Sequence, residues 1–317
     1  MAAAVTQPPP PLAAGRGGGF FGFLKDGVVI LTRHRGLLLP LAALDAARSM
    51  ALFVARSLAL RFFATTGVDL GSVDDKLLFA LLLGEFLAAG RWYLLPAGVA
   101  YLAAHVTLGF AIHAATVAAA VASCSGPGER RHTLASCLLL KGNSLRGPMA
   151  TAVFGEMVLW PVVGVALLVV PAVYLGPAIA TLVLLFEVVA FLFTCLYGVV
   201  CEVAVVVSVA EPGLRAAAAV GRARRLMRGA RKLAQATLYS LAAWALRKAV
   251  WRMHAATMAL LLPHTSCSIA TAYFYLPLDG VLVYLVLGAL KVLCTATVTA
   301  YYFDCRRTEE EKAGHAE

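Results

Sequence analysis

Ten ionisable residues sit inside or beside long apolar stretches of this chain: Asp45, Arg48, Arg56, Glu156, Glu187, Glu202, Arg247, Lys248, Arg252 and Lys291. At the centre of a bilayer helix a charge costs roughly 2.5–3.5 kcal/mol, so charges persist there by facing a bundle interior, pairing, or lining an ion or proton path. Four acids against six bases can neutralise one another as structural glue, and the counts favour that reading. A transport path is the alternative, since Glu156 and Glu187 fall about eight and nine residues into the third and fourth apolar segments, depths that suit the middle of a membrane. No inverted repeat or matched pair of broken helices, the usual marks of a transporter, is visible.

Other constellations carry less. His105 and His113 are eight residues apart and share roughly one side of a helix, but two histidines without a third ligand make a weak metal site. Hydrogen bonds to bundle neighbours are expected of them instead. Gly17, Gly19 and Gly22 spell GxGxxG, yet no strand precedes them and no acid stands at the ribose position, so a dinucleotide is not indicated. No HExxH, P-loop, DxD or Ser/His/Asp grouping occurs, so no catalytic, cofactor-binding or metal residue is assigned, and the chain reads as a non-enzyme without a cofactor. The seven cysteines show no CxxC spacing. Cys124 and Cys305 lie beside span ends, where a free buried thiol is the expectation and palmitoylation the alternative.

The elements that must hold these residues follow from composition. The chain has 317 residues, 61% hydrophobic and 14% charged, and its mean hydropathy is +0.82. That balance excludes an ordinary soluble protein and fits a helical membrane protein. The Ala/Pro/Gly-rich residues 1–18 read as disordered, with no apolar stretch of a cleavable signal peptide. Residues 19–35 read as an interfacial amphipathic helix, with Phe20, Phe23, Leu24, Gly27, Val28 and Leu31 on one side and Lys25, Asp26, Thr32 and Arg33 on the other. Residues 36–305 form the membrane domain, and 306–317 a charged tail. Six apolar segments lie at about 37–61, 93–123, 148–175, 178–205, 235–262 and 281–303. The N-terminal flank, the 124–147 and 206–234 loops and the tail hold eighteen Lys and Arg, while the connections on the other side hold two. The positive-inside rule then puts both termini in the cytoplasm. The net charge of +10 fits contact with anionic lipid headgroups and gives no case for nucleic acid.

The fifth segment is the weak one, because Arg247, Lys248 and Arg252 outweigh its apolar residues. Its insertion needs acids from neighbouring spans, for which Asp45, Glu156, Glu187 and Glu202 are the candidates. Asp45, Arg48, Ser49 and Arg56 share one face of the first span, which should point into the bundle and pair there. Ala111, Ala115 and Ala119, spaced by four, predict a helix contact on the second span. The 62–92 stretch, with Asp69, Asp74 and Asp75 ahead of an apolar run, reads as an outer loop with an interfacial or re-entrant helix.

The most specific stretch is SVAEPGLRAAAAVGRARRLMRGARK, residues 208–232. A span ends at Glu211 and Pro212, and a basic helix follows with Arg215, Arg222, Arg224, Arg225, Arg228, Arg231 and Lys232, candidates for anionic-lipid contact or for a plain topology anchor. With Ser208, Val209, Glu211 and Pro212, then Leu226 and Gly229, and the closing VTAYYFDC, the chain resembles a plant-specific family of uncharacterised six-span integral membrane proteins over most of residues 20–310. More distantly it is similar to the non-catalytic membrane domain of glycerophosphodiester phosphodiesterases, whose catalytic barrel has no counterpart here. The resemblance implies a six-span fold and no activity. The resulting expectation is an all-α polytopic transmembrane bundle with a scaffolding or lipid-interacting role. Its expected partners are membrane lipids, and other membrane proteins or a second copy. Transport of a small solute or ion is the alternative.

Overall fold

The computed structural model describes residues 22–64, 95–124, 142–169, 176–211, 213–261 and 269–314. Within them the chain forms eight helices and no strand: α1 (Gly22–Arg33), α2 (Arg35–Ala64), α3 (Leu95–Cys124), α4 (Gly142–Val169), α5 (Pro177–Ala210), α6 (Ala217–Leu226), α7 (Ala230–Leu261) and α8 (Ile269–Gly314). Long runs of Ala, Leu and Val with few breakers leave the backbone no cheaper way to satisfy its own hydrogen bonds in an apolar setting. Glycines mark the joints. Gly176 (φ 137°) precedes Pro177 at the first position of α5, and Gly229 (φ 127°) opens α7 directly after the α6 turn.

Four helical stretches are long and apolar enough to cross a membrane: Arg35–Ala55, Val99–Cys124, Ala178–Ala210 and Gly280–Lys312. They fall on the first, second, fourth and sixth expected spans. The third falls on α4 and the fifth on α7; both are helical, but within the described residues neither reaches the same length of apolar sequence. For α7 the reason is plain: Arg247, Lys248 and Arg252 interrupt it.

Helix α8 is the hub, packing against α1, α2, α3, α5, α6 and α7. Its inner face carries Val292, Thr295, Ala296, Thr297, Val298, Thr299, Tyr301 and Tyr302, all buried. The threonines cost little there, because Thr295, Thr297 and Thr299 each donate to the carbonyl one turn back at 2.8–3.1 Å. Small residues let the helices close. Ala115 and Ala119 are fully buried and Ala111 half-buried on the expected face of α3. Helix α5 and the α8 core meet through Val203, Val206 and Val207.

Helix α1 docks on α8. Phe23, Gly27 and Ile30 are buried, and a Cβ at Gly27 would stand 2.5 Å from Thr297 Oγ1. The Phe23 ring meets Tyr301 (5.2 Å between centroids) and Tyr239 (6.0 Å) edge-on. Leu24 and Val28, expected on the same apolar side, are exposed. The docked stripe, Phe23, Gly27 and Ile30, is one residue wide per turn. Residues 1–21, most of the 62–92 stretch, Arg130, Arg131, Lys141, Cys267 and the side chain of Arg56 lie outside the described residues.

Candidate functional site

The inward stripe on α2 meets partners from α3 and α8. Asp45 is 5% exposed; its Oδ1 accepts from Lys291 Nζ at 2.9 Å and Arg48 Nε at 3.3 Å, and Arg48 Nη2 lies 3.2 Å away as an ion-pair contact. Arg48 then reaches α3, where Nη1 lies 3.0 Å from His105 Nε2 and 3.3 Å from the His105 carbonyl. Guanidinium nitrogens only donate, so His105 accepts at Nε2 and keeps its proton on Nδ1. Gly109, one turn on, leaves room for this guanidinium: a Cβ there would stand 2.5 Å from Arg48 Nη1. Gly288 does the same between backbones, bringing α8 against Ala42 and Ala46 on either side of Asp45.

A second polar pair lies where α3 meets α5, with His113 Nε2 3.2 Å from Glu202. The remaining sequence candidates separate. Glu156 is exposed on α4, and Arg247, Lys248 and Arg252 are exposed on α7 instead of paired inside the bundle. Their registers explain part of this. Phe191 stacks edge-on against Trp244 at 4.9 Å, and Ser240 donates to the Cys195 carbonyl at 3.1 Å, which makes α5 and α7 antiparallel neighbours. One turn beyond that stack, Glu187 and Lys248 reach the same level. Lys248 Nζ sits 6.0 Å from the centre of the Trp244 ring, while Glu187 Oε1 is buried with no hydrogen-bond partner among the described residues.

At the other end of α5 the basic segment divides into two groups. Arg222 is tied down: it bonds Glu309 of α8 (Nη2 to Oε2, 2.8 Å) and lies 3.4 Å from Glu211, which also accepts from the Tyr302 hydroxyl at 2.9 Å. Lys232 donates to the Cys305 carbonyl at 3.3 Å, and its own carbonyl accepts from Tyr301. The start of α6 is pinned to α4, where the Ala216 N–H donates to the Thr151 hydroxyl at 2.9 Å. Arg215 is exposed, with its stem against Gly147. Arg224 and Arg225 are exposed, on the side of α6 opposite the buried Ala219, Ala223 and Leu226, and Arg228 in the following turn and Arg231 in the first turn of α7 are exposed as well. Nearby, burial and the adjacent Asp304 carboxylate push the Asp26 carboxyl above its ordinary range, with Lys25 pulling the other way. Cys124 and Cys305 are buried free thiols.

The sequence reading marked Asp45, Arg48 and Lys291, and the structure brings those three together. It missed the Glu211–Arg222–Glu309–Tyr302 clasp, for which the signal was an arginine beside the buried stripe of α6. It also missed Gly109 and Gly288, whose role is only visible once the helices are paired. Among the described residues no group of three metal-ligating side chains occurs. No family model, curated protein or solved structure matches the chain.

Proposed function

We propose that this is a non-enzymatic six-span integral membrane protein, with both termini cytoplasmic, that engages anionic lipid headgroups through the basic turn between α6 and α7. The observation that carries this reading is the division of cations within one segment. Arg222 and Lys232 are consumed by bonds inside the bundle, whereas Arg224, Arg225, Arg228 and Arg231 have exposed side chains at the end where α5 stops. Cations near an anionic surface contribute about 1 kcal/mol each, so four of them make a selective patch. Helix α1, with Leu24, Val28 and Val29 exposed, suits the same interface.

The test uses the full chain reconstituted in phosphatidylcholine vesicles containing spin-labelled phosphatidylserine or spin-labelled phosphatidylcholine. Wild type is expected to immobilise the serine lipid preferentially, with a preference that falls as salt rises. Replacing Arg224, Arg225, Arg228 and Arg231 together by glutamine should remove that preference without altering the helix content. Equal selectivity in wild type and variant at low salt would leave the patch as a topology anchor only.

A second reading, ion or small-solute transport, is favoured by one observation, the buried and unbonded Glu187 Oε1. On that reading Glu187→Gln abolishes a pH-dependent flux in proteoliposomes while the bundle stays folded. A wild type with no flux, or a variant that carries the wild-type flux, removes it.

A further inference from the structure

Helix α7 presents one face to its neighbours and another away from the chain. On the inner face Tyr239 donates to the Cys294 carbonyl of α8 and Ser240 to the Cys195 carbonyl of α5. On the opposite side Leu238, Ala242, Ala245, Ala249, Arg252 and Ala256 are all exposed, at alternating spacings of four and three residues. That spacing is the seam of two helices packed side by side, and its alanines let a partner backbone come close. Arg252 stands in the seam and makes no ion pair among the described residues. It is about 14 Å short of Leu261, where α7 ends, so on the six-span reading, on which this inference rests, its charge faces lipid inside the span. Lys248 flanks the same seam, with the Trp244 ring 6.0 Å away. Cations persist at such positions by pairing with an acid.

The charge selects the occupant. Two copies of this chain lie the same way up in one membrane, so pairing through the seam would set Arg252 against Arg252 of the other copy, with a Lys248 on each side. Like charges repel most where water is absent. Docking the seam instead on the exposed Glu156 of a second copy fails on depth. Glu156 adjoins Gly155, whose close neighbour on α5 is Cys201. The pairs Cys195–Ser240 and Phe191–Trp244 put that level near the start of α7, about 27 Å along the axis from Arg252. We infer that this face of α7 binds a transmembrane helix of a different membrane protein, one with small residues along its contact line and a carboxylate in the outer half of its span. The site is separate from the basic turn between α6 and α7, and its ligand is a helix, not a lipid.

The experiment places the full chain in phosphatidylcholine vesicles with a synthetic transmembrane helix of leucine and alanine that carries a single glutamate away from its ends. Association is read by energy transfer between labels on the two. Wild type is expected to bind this helix about tenfold or more tightly than the same helix with glutamine in place of glutamate. Arg252→Leu combined with Lys248→Gln removes that difference, and Arg252→Lys keeps it; both side chains are exposed, so neither change disturbs the packing of the chain itself. Ala249→Ile fills the seam and weakens binding of both helices. The variant with Arg224, Arg225, Arg228 and Arg231 replaced binds as wild type does. Equal affinity of wild type for the two helices, or a charge-deleted variant that keeps the difference, overturns the inference. So does energy transfer between two labelled wild-type copies that Ala249→Ile abolishes, which would give the face to a second copy. Side-specific labelling of Arg228→Cys and Ala256→Cys separates the inference from the six-span reading. Labelling from opposite sides with no preference for glutamate removes the inference alone, and labelling from one side removes both.

Discussion

Replacing Asp45 with alanine is expected to lower the stability of the bundle by about 3 kcal/mol, the low end for breaking an enclosed ion pair, because it leaves the half-buried Arg48 and Lys291 without their shared carboxylate. The effect is asymmetric within the cluster. Lys291→Met deletes one of the two cations and leaves Asp45 with Arg48 at 3.2 Å, a balanced pair that still ties α2 to His105 of α3. Its cost should therefore be a small fraction of the Asp45→Ala cost. Reversible unfolding of the full chain in mixed micelles, followed by helical circular dichroism, measures both. Equal and small losses would mean that Asp45 is not the residue holding α2, α3 and α8 together.

Gly288→Val is expected to be comparably damaging for a steric reason. A Cβ at Gly288 would stand 2.5 Å from the Ala42 carbonyl oxygen and 3.3 Å from Ala46 Cβ, so the obstacle is backbone and cannot swing away. The two helices must separate along the line that also carries Asp45 and Lys291. Overpacking of this kind costs about 1–3 kcal/mol or more, against a helix-propensity gain from removing glycine of less than about 1 kcal/mol. Packing wins at Gly288. At Gly221 on α6, where a Cβ would meet nothing within 4 Å, propensity wins. Gly221→Ala should thus stabilise by about 1 kcal/mol in the same unfolding experiment, and destabilisation there would show that the two terms have been weighed wrongly.

These two sites show what the sequence makes legible. An acid and a base three residues apart in a mostly apolar stretch favour facing inward and pairing, so Asp45, Arg48 and Ser49 could be assigned to the bundle interior from spacing alone. Their partner Lys291 is 246 residues from Asp45, and nothing local says that α8 lies beside α2. The same limit applies to the basic run. Arg222 and Arg224 are two residues apart in an identical composition, yet one is clamped between Glu211 and Glu309 and the other is exposed. The buried stripe Ala219, Ala223 and Leu226 sets that difference, and a helical projection places Arg222 at its edge. Composition alone calls for the charged fifth segment to bury its cations against acids. Among the described residues α7 packs mainly on α5 and α8 and keeps Arg247, Lys248 and Arg252 on its exposed side. Hydropathy counts what a helix contains, whereas exposure depends on which neighbours it finds.

Helix α7 is therefore where the account is most open to contradiction, and its two ends give the most direct measurement. In a background with the native cysteines replaced, Arg228→Cys stands before α7 and Ala256→Cys near its far end, both at exposed positions. Labelling with a membrane-impermeant maleimide in sealed and permeabilised vesicles reports the side of each. Six spans with a cytoplasmic basic turn predict that Cys at position 256 labels from outside and Cys at position 228 only after permeabilisation. If both positions label from the same side, α7 does not cross the membrane, and the six-span arrangement with both termini cytoplasmic is wrong.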